Sequence, residues 1–255
     1  MIRAFALAAL CGLSACPALA GEEVVPGLSE DRIEITANFS GSDLLIYGAV
    51  KRDAPPPVTG PLDVIITVQG PSSPVTVRRK ARVAGIWVNT DAVTIDSAPS
   101  FYAIATTRPL EDILSSTEDL RHSISIPRAI RSVGAPASVA DSQAFTEALI
   151  RLRENASMYG MHEGTVRLAQ DTLFRTNIAL PANLLEGVYK TRMFLMRDKK
   201  VVGLDERSIY VRKVGLERWL FHMAHFRRAL YATMSLVLAA FAGWAASEAF
   251  RLLRR

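Results

Sequence analysis

Apolar and polar residues alternate over many short stretches of the chain. In "RIEITANF" Ile33, Ile35, Ala37 and Phe39 alternate with Arg32, Glu34, Thr36 and Asn38. Period two with one polar face predicts a half-buried antiparallel strand. "DLLIYGAV", Asp43 to Val50, follows the turn residues Ser40-Gly41-Ser42, so the two stretches predict a hairpin. "DAPPPVTGP" reads as a rigid polar connection. "DVIITVQG" alternates again through Val64, Ile66 and Val68, and "PVTVRRKARV", "GIWVN", "AVTI" and "FYAIAT" continue the series. Many short strands between Gly, Pro and Ser turns predict a sandwich or barrel.

The period then changes. Pro109-Leu110 with Ile113-Leu114 predicts a short helix that Thr107 can cap. "DSQAFTEALIRLREN" predicts a longer one, with Phe145, Ala148, Leu149 and Leu152 on one face. Asp141 or Ser138 can cap it, and Glu147 with Arg151 forms an i,i+4 pair on its outside. Strands return in "TLFRTNIALP", "GVYKTRMFLMRD" and "KKVVGLDERSIYVRK". The last two face each other across Asp198-Lys199-Lys200, which predicts a hairpin. Gly187-Val188-Tyr189 followed by Thr191 matches a tyrosine corner, with Thr191 where immunoglobulin domains hold a cysteine. The expected fold is therefore mainly β: an immunoglobulin-like β-sandwich with a helical insertion, followed by one C-terminal transmembrane helix.

That last element rests on "ALYATMSLVLAAFAGWAASEAF", Ala229 to Phe250, long enough to span a bilayer with some tilt. Its single charge, Glu248, lies in the last turn near Arg251. Tyr231 and Trp244 suit interfacial positions. At the other end, "MIRAFALAALCGLSACPALA" has a basic start, an apolar run and Ala18-Leu19-Ala20, the layout of a secretory signal peptide cut after Ala20. Leu13-Ser14-Ala15-Cys16 also fits a lipoprotein cleavage box that would lipidate Cys16; Pro17 directly after the cysteine argues against it. The two cysteines, Cys11 and Cys16, both lie in this stretch. Simple cleavage leaves a mature chain with no disulfide, thiolate metal site or cysteine nucleophile.

The expected organisation is a signal peptide (1–20), a β-rich part (21–107), a helical segment (108–162) and a β-rich part completing the sandwich (163–213). A juxtamembrane amphipathic helix (214–228), a transmembrane helix (229–250) and a cytoplasmic tail (251–255) follow. A cleaved signal before one stop-transfer helix places the bulk of the chain in the periplasm, with the helix in the bacterial inner membrane.

With 255 residues, 49% of them hydrophobic and 22% charged, the chain can build a core and is neither disordered nor multi-spanning. The net charge of +5 is partly concentrated in one place: Arg78, Arg79, Lys80 and Arg82. In a strand, Arg78, Lys80 and Arg82 point one way with Thr76, while Val75, Val77, Ala81 and Val83 point the other. Arg79 interrupts the apolar set, which suggests a bulge or an edge there. The three basic residues are a candidate surface for an anion or lipid headgroup. A solvated face that discourages edge pairing explains them more simply. Gly85 breaks the run, and Trp87 is expected as a core or interface anchor. Export and the lack of interleaved aromatic residues argue against nucleic acid.

Two Met/His sets are weak metal candidates: His222 with His225, and Met158, Met161 and His162 beside Glu163. An amphipathic helix with Trp219, Phe221 and Phe226 at a membrane surface explains the first pair without a metal. No phosphate loop, nucleophile elbow or HExxH motif is present, so neither an enzyme nor a cofactor is expected. Ala239, Gly243 and Ser247 form a small-residue stripe that allows close helix–helix approach.

"GLSEDRIEITANFSGSDLLIYGAV", "RRKARVAGIWVN", "DTLFRTNIALPANLLEGVYKTRMFLMRDKKVV" and the single C-terminal helix together resemble a family of predicted transmembrane proteins of alphaproteobacteria. The resemblance covers nearly the whole mature chain. It implies a periplasmic domain on one membrane anchor and brings no catalytic residues. It also implies a partner among sulfite-exporter-type permeases. The functional expectation is a membrane-anchored interaction module, an accessory subunit of a membrane transporter or envelope complex. It would be held to a membrane protein or to a second copy through the transmembrane helix. The alternative is a periplasmic sensor or binding domain for a small anion or metal ion.

Overall fold

A computed structural model describes residues 22–35, 39–52, 60–132, 141–213, 225 and 228–253. The fold is mainly β, with curled sheets. The strands are β1 (Glu22–Leu28), β2 (Arg32–Ile35), β3 (Ser42–Arg52), β4 (Asp63–Gln69), β5 (Ser72–Val83), β6 (Ile86–Pro99), β7 (Tyr102–Thr106), β8 (Tyr159–His162), β9 (Arg167–Ala169), β10 (Leu173–Leu180), β11 (Gly187–Arg197) and β12 (Lys200–Lys213). The helices are α1 (Leu110–Ile113), α2 (Ser116–His122), α3 (Ile126–Ala129), α4 (Ser142–Asn155) and α5 (Arg228–Leu253).

Ten of these strands form two sheets in the orders β1-β3-β10-β9 and β2-β12-β11-β4-β7-β8; β5 and β6 form a separate two-stranded sheet. One core joins the sheets. The four-stranded sheet supplies Leu44, Ile46, Phe174 and Ile178, and the six-stranded sheet supplies Ile33, Tyr189, Phe194 and Ile209. β1 packs against β12 where the sheets meet.

The alternation of "RIEI" and "DLLIYGAV" is real, but the hairpin predicted from it does not form. β2 runs parallel to β12, and β3 pairs with β1 and β10 in the other sheet. Ile33 and Leu44 therefore reach the same core from opposite sides. The partner of β3 is β1, which the sequence reading did not find. Pro26 and Gly27 interrupt its pattern, and β1 is an edge strand, where proline costs no ladder bond that the sheet needs. The alternation expected for β4 is also corrected: Asp63 through Val68 are all buried, on both faces. β11 and β7 flank β4, and buried residues of the helical segment, Ile113, Ile124 and Ile126 among them, extend the core.

That segment is tied to the sheet by polar contacts. Arg192 on β11 donates to the carbonyls of His122 and Ser123 and to Tyr102 Oη at 2.6, 3.1 and 3.1 Å. Tyr102 Oη donates to the Ile124 carbonyl at 2.8 Å, and burial raises its phenol above the ordinary value. Thr107 does not cap α1. Its hydroxyl donates to Asp63, which Arg108 also clasps. On α4, Phe145 and Leu149 are buried as expected, but Leu152 is exposed. Asp141 stands at its N-cap but its side chain makes no capping hydrogen bond, and Glu147 accepts from Gln143. The segment 108–162 ends not in helix but in β8, which runs parallel to β7.

The β11–β12 hairpin forms as predicted, with Asp198 and Lys199 both in the left-handed region that a tight two-residue turn requires. Tyr189 is buried and its hydroxyl donates to the Leu185 carbonyl four residues back at 2.9 Å, the bond of a tyrosine corner. A charged clamp holds the start of β1: Glu22 Oε1 accepts from Arg52 and from Arg197, both at 2.8 Å. Burial alone would raise the Glu22 carboxyl. The two guanidiniums outweigh it and hold the group below its ordinary value.

The C-terminal stretch is helical as expected, over the 26 residues of α5. Among the described residues, no helix is long and apolar enough to cross a membrane. The expected signal peptide (1–20) and most of the expected juxtamembrane helix (214–228) lie outside the described residues.

Candidate functional site

β4 and β5 are separated only by Gly70 and Pro71, yet their surroundings are opposite. No residue of β5 is buried. β5 and β6 form a long hairpin whose root belongs to the core and whose far end does not. At the root Val93, Ile95 and Ala98 are buried, and Ser97 exchanges backbone hydrogen bonds with Arg131 at 3.1 and 2.9 Å. Tyr159 Oη donates to the Pro99 carbonyl at 2.7 Å, and burial pushes its phenol up to about 12. "GIWVN" and "AVTI", read as two strands, are one strand, β6.

A register shift falls at Arg79/Lys80, as the interrupted pattern of Arg79 predicts. Arg79 pairs with Asp91, Lys80 pairs with Asn89, and Thr90 is the extra residue. Arg79 is taken up structurally. Its guanidinium lies 4.6 Å over the Phe145 ring and 3.4 Å from Asp141, so it pins the arm to α4. Beyond that point the arm closes on Ala84 and Gly85, both at positive φ, 50° and 87°. Two successive left-handed residues give the hairpin turn whose twist matches the strands.

The pairing decides what the free end presents. Arg82 stands opposite Trp87, Lys80 opposite Asn89, Arg78 opposite Ala92 and Thr76 opposite Thr94. Arg78, Lys80 and Arg82 thus form the single exposed face that the alternation predicts, and Trp87 joins it. Val83 opposite Ile86 closes the tip on the other face. Trp87 and Ile86 are 69% and 65% exposed, and Val83 is exposed as well. The expectation of Trp87 as a core residue is therefore corrected: the turn carries it beyond the reach of the core. Arg82 Nε donates to the Gly85 carbonyl at 3.2 Å, which stiffens the turn. Among the described residues Arg78, Lys80 and Arg82 make no ion pair. The arm therefore combines a fixed basic strip with an apolar tip, which is the composition of a docking element.

The sequence reading located the basic residues but missed Val83 and Ile86. The signal was available. A two-residue turn at Ala84-Gly85 makes the apolar residues on either side a tip pair instead of core.

The other candidates are dispersed. Met158 is drawn into the core, whereas Met161 and His162 are exposed, so this set does not converge. Glu163 accepts from the Leu110 backbone N–H at 2.8 Å, at the start of α1. His225 is exposed, and His222 lies outside the described residues. Among the described residues, no group of three or more His, Cys, Asp or Glu side chains is placed to hold a metal. Ala239, Gly243 and Ser247 recur every four residues on α5 and are exposed, with open space beside Gly243.

None of the curated proteins matches the chain. A family model described as Putative transmembrane protein (Alph_Pro_TM) matches residues 23–252, which takes in the β-sheets, the arm and nearly all of α5, and the chain belongs to that family.

Proposed function

We propose that the protein is a membrane-anchored interaction module whose docking element is the β5–β6 arm. The observation that carries this reading is the arm's free end, where Ile86 and Trp87 are held out beside a basic strip on a rigid two-stranded lever. Stability does not require these side chains there, because they touch no core. A partner surface that is apolar at its centre and acidic at its rim fits them.

In this reading α5 is the anchor. At about 1.5 Å per residue its 26 residues extend about 39 Å, against about 30 Å of hydrocarbon. Leu236, Val237 and Leu238 are consecutive, so they point in three directions about 100° apart, and they are 70%, 69% and 70% exposed. Apolar side chains exposed in three directions call for lipid or other helices. The membership of the chain in a transmembrane family agrees with this. In this reading the topology is single-pass and the two sheets are an immunoglobulin-like sandwich in the periplasm; the Tyr189–Leu185 bond supports the sandwich. The module binds and does not catalyse. Its partner is a membrane transporter or envelope complex, and a permease of the sulfite-exporter type is one candidate.

Co-purification in mild detergent tests the reading. A stoichiometric membrane protein is expected with the native chain and absent with Ile86→Ser/Trp87→Ser at unchanged Tm. Co-purification that survives this variant but is lost with Gly243→Leu would assign the contact to α5 and overturn the role of the arm.

A further inference from the structure

The outer face of the four-stranded sheet carries a second feature, which is independent of the arm and the anchor. Pairing aligns Val25, Ala49, Leu173 and Ala169 in one rung across all four strands. The next rung is Gly27, Tyr47, Arg175 and Arg167. The first rung is wholly apolar, and it faces out: Leu173 is 58% exposed and Val25 is exposed too. Tyr47 lies flat across Gly27, where a Cβ would come within 2.3 Å of its ring, so the tyrosine forms a wall. The result is an apolar groove of about 730 Å³ with arginines at one side. A second depression of about 780 Å³ continues past the same two arginines toward Asp43.

Arg167 and Arg175 are directly opposed on neighbouring strands. Like charges in that position repel, and among the described residues neither guanidinium makes a hydrogen bond or ion pair. Asp43 lies two rungs further along β3 than Tyr47 and bonds to neither. An anion between the guanidiniums would remove the repulsion and supply charge-assisted, forked hydrogen bonds. One rung away, about 7 Å along the strand, begins the apolar row. The volume suits a small organic ligand.

We infer that this groove binds a single-chain anionic amphiphile, a fatty carboxylate or a lysophospholipid. The headgroup lies between Arg167 and Arg175, and the chain lies along Val25, Ala49 and Leu173. The site handles a lipid-derived molecule outside the bilayer.

Photolabelling tests it on the full chain held in amphipol, with a diazirine-bearing palmitate as probe. Adducts are expected on peptides 22–28, 42–52 and 173–180. They should fall at least tenfold in Arg167→Gln/Arg175→Gln and in Leu173→Asp, while adducts on α5 stay unchanged. Dodecanoate or a twelve-carbon lysophosphatidylglycerol should compete, and whichever competes at the lower concentration names the source; dodecanol should not. Labelling confined to α5 would overturn the inference. So would groove labelling that the variants leave intact, or equal competition by dodecanol. A dimer that covers this face and dissociates in Leu173→Asp would assign the groove to a second copy and overturn it as well.

Discussion

β4 and β5 are neighbours in sequence and opposites in environment. In β4 every residue from Asp63 to Val68 is buried, whereas β5, two residues later, buries none. β4 is the richer in β-branched residues, five of seven against four of twelve, yet both form strands, so intrinsic preference alone does not decide which is covered. The separation comes from partners. β4 is central, paired on both edges and covered on both faces, while β5 has one partner, β6, and a free edge. The first kind of strand carries the stability of the molecule. The second keeps its shape with far less burial, and its side chains are left available for contact with another molecule.

If that division holds, substitutions in the two regions should differ most in their effect on folding. Phe194→Ala, at a fully buried position between β11 and the helical segment, should lose about 3–5 kcal/mol. A chemical denaturation midpoint close to wild type would break the comparison at its strongest point. Glu22→Gln should cost about 1–3 kcal/mol at neutral pH, because it weakens a buried clamp on two arginines. The carboxyl of Glu22 is held below its ordinary value of 4.5 in the fold, so the stability it adds is complete above about that pH and is lost as pH falls through the lower, folded value. Tm measured from pH 7 down to pH 3 should therefore show the gap between wild type and variant closing in acid. A gap that widens there would contradict the sign. At the small end, Arg78→Ser/Lys80→Ser/Arg82→Ser should move stability by no more than about 0.5 kcal/mol. A larger loss would mean that the basic strip is structural.

Much of this contrast was legible in advance, and the illegible parts have physical causes. Period two in "RRKARV" gave the basic face correctly, and the interruption at Arg79 gave the register shift. Alternation reports which way a side chain points but not how far the strand travels from the core. Trp87 is expected as a core or interface anchor; the core alternative fails, because the residue is found at the tip. Sequential order also misled at β2 and β3, where a turn signal stood between strands of different sheets. β4 shows the reverse case: its polar residue Thr67 is buried because cover arrives from elements distant in sequence. The Arg167–Arg175 opposition depends on the pairing of β9 with β10, which no local pattern encodes. Tyr189 was the exception. Its bond to Leu185 spans four residues, so a local signal was enough.

The central claim is that the arm's tip meets a partner. Replacing Trp87 with a photo-crosslinking amino acid in the full chain, in native membranes, tests this most directly. The account predicts one discrete protein adduct on illumination, lost when Arg78, Lys80 and Arg82 are serine while Tm stays within error of wild type. No protein adduct from position 87, or an adduct indifferent to the basic strip, would contradict it.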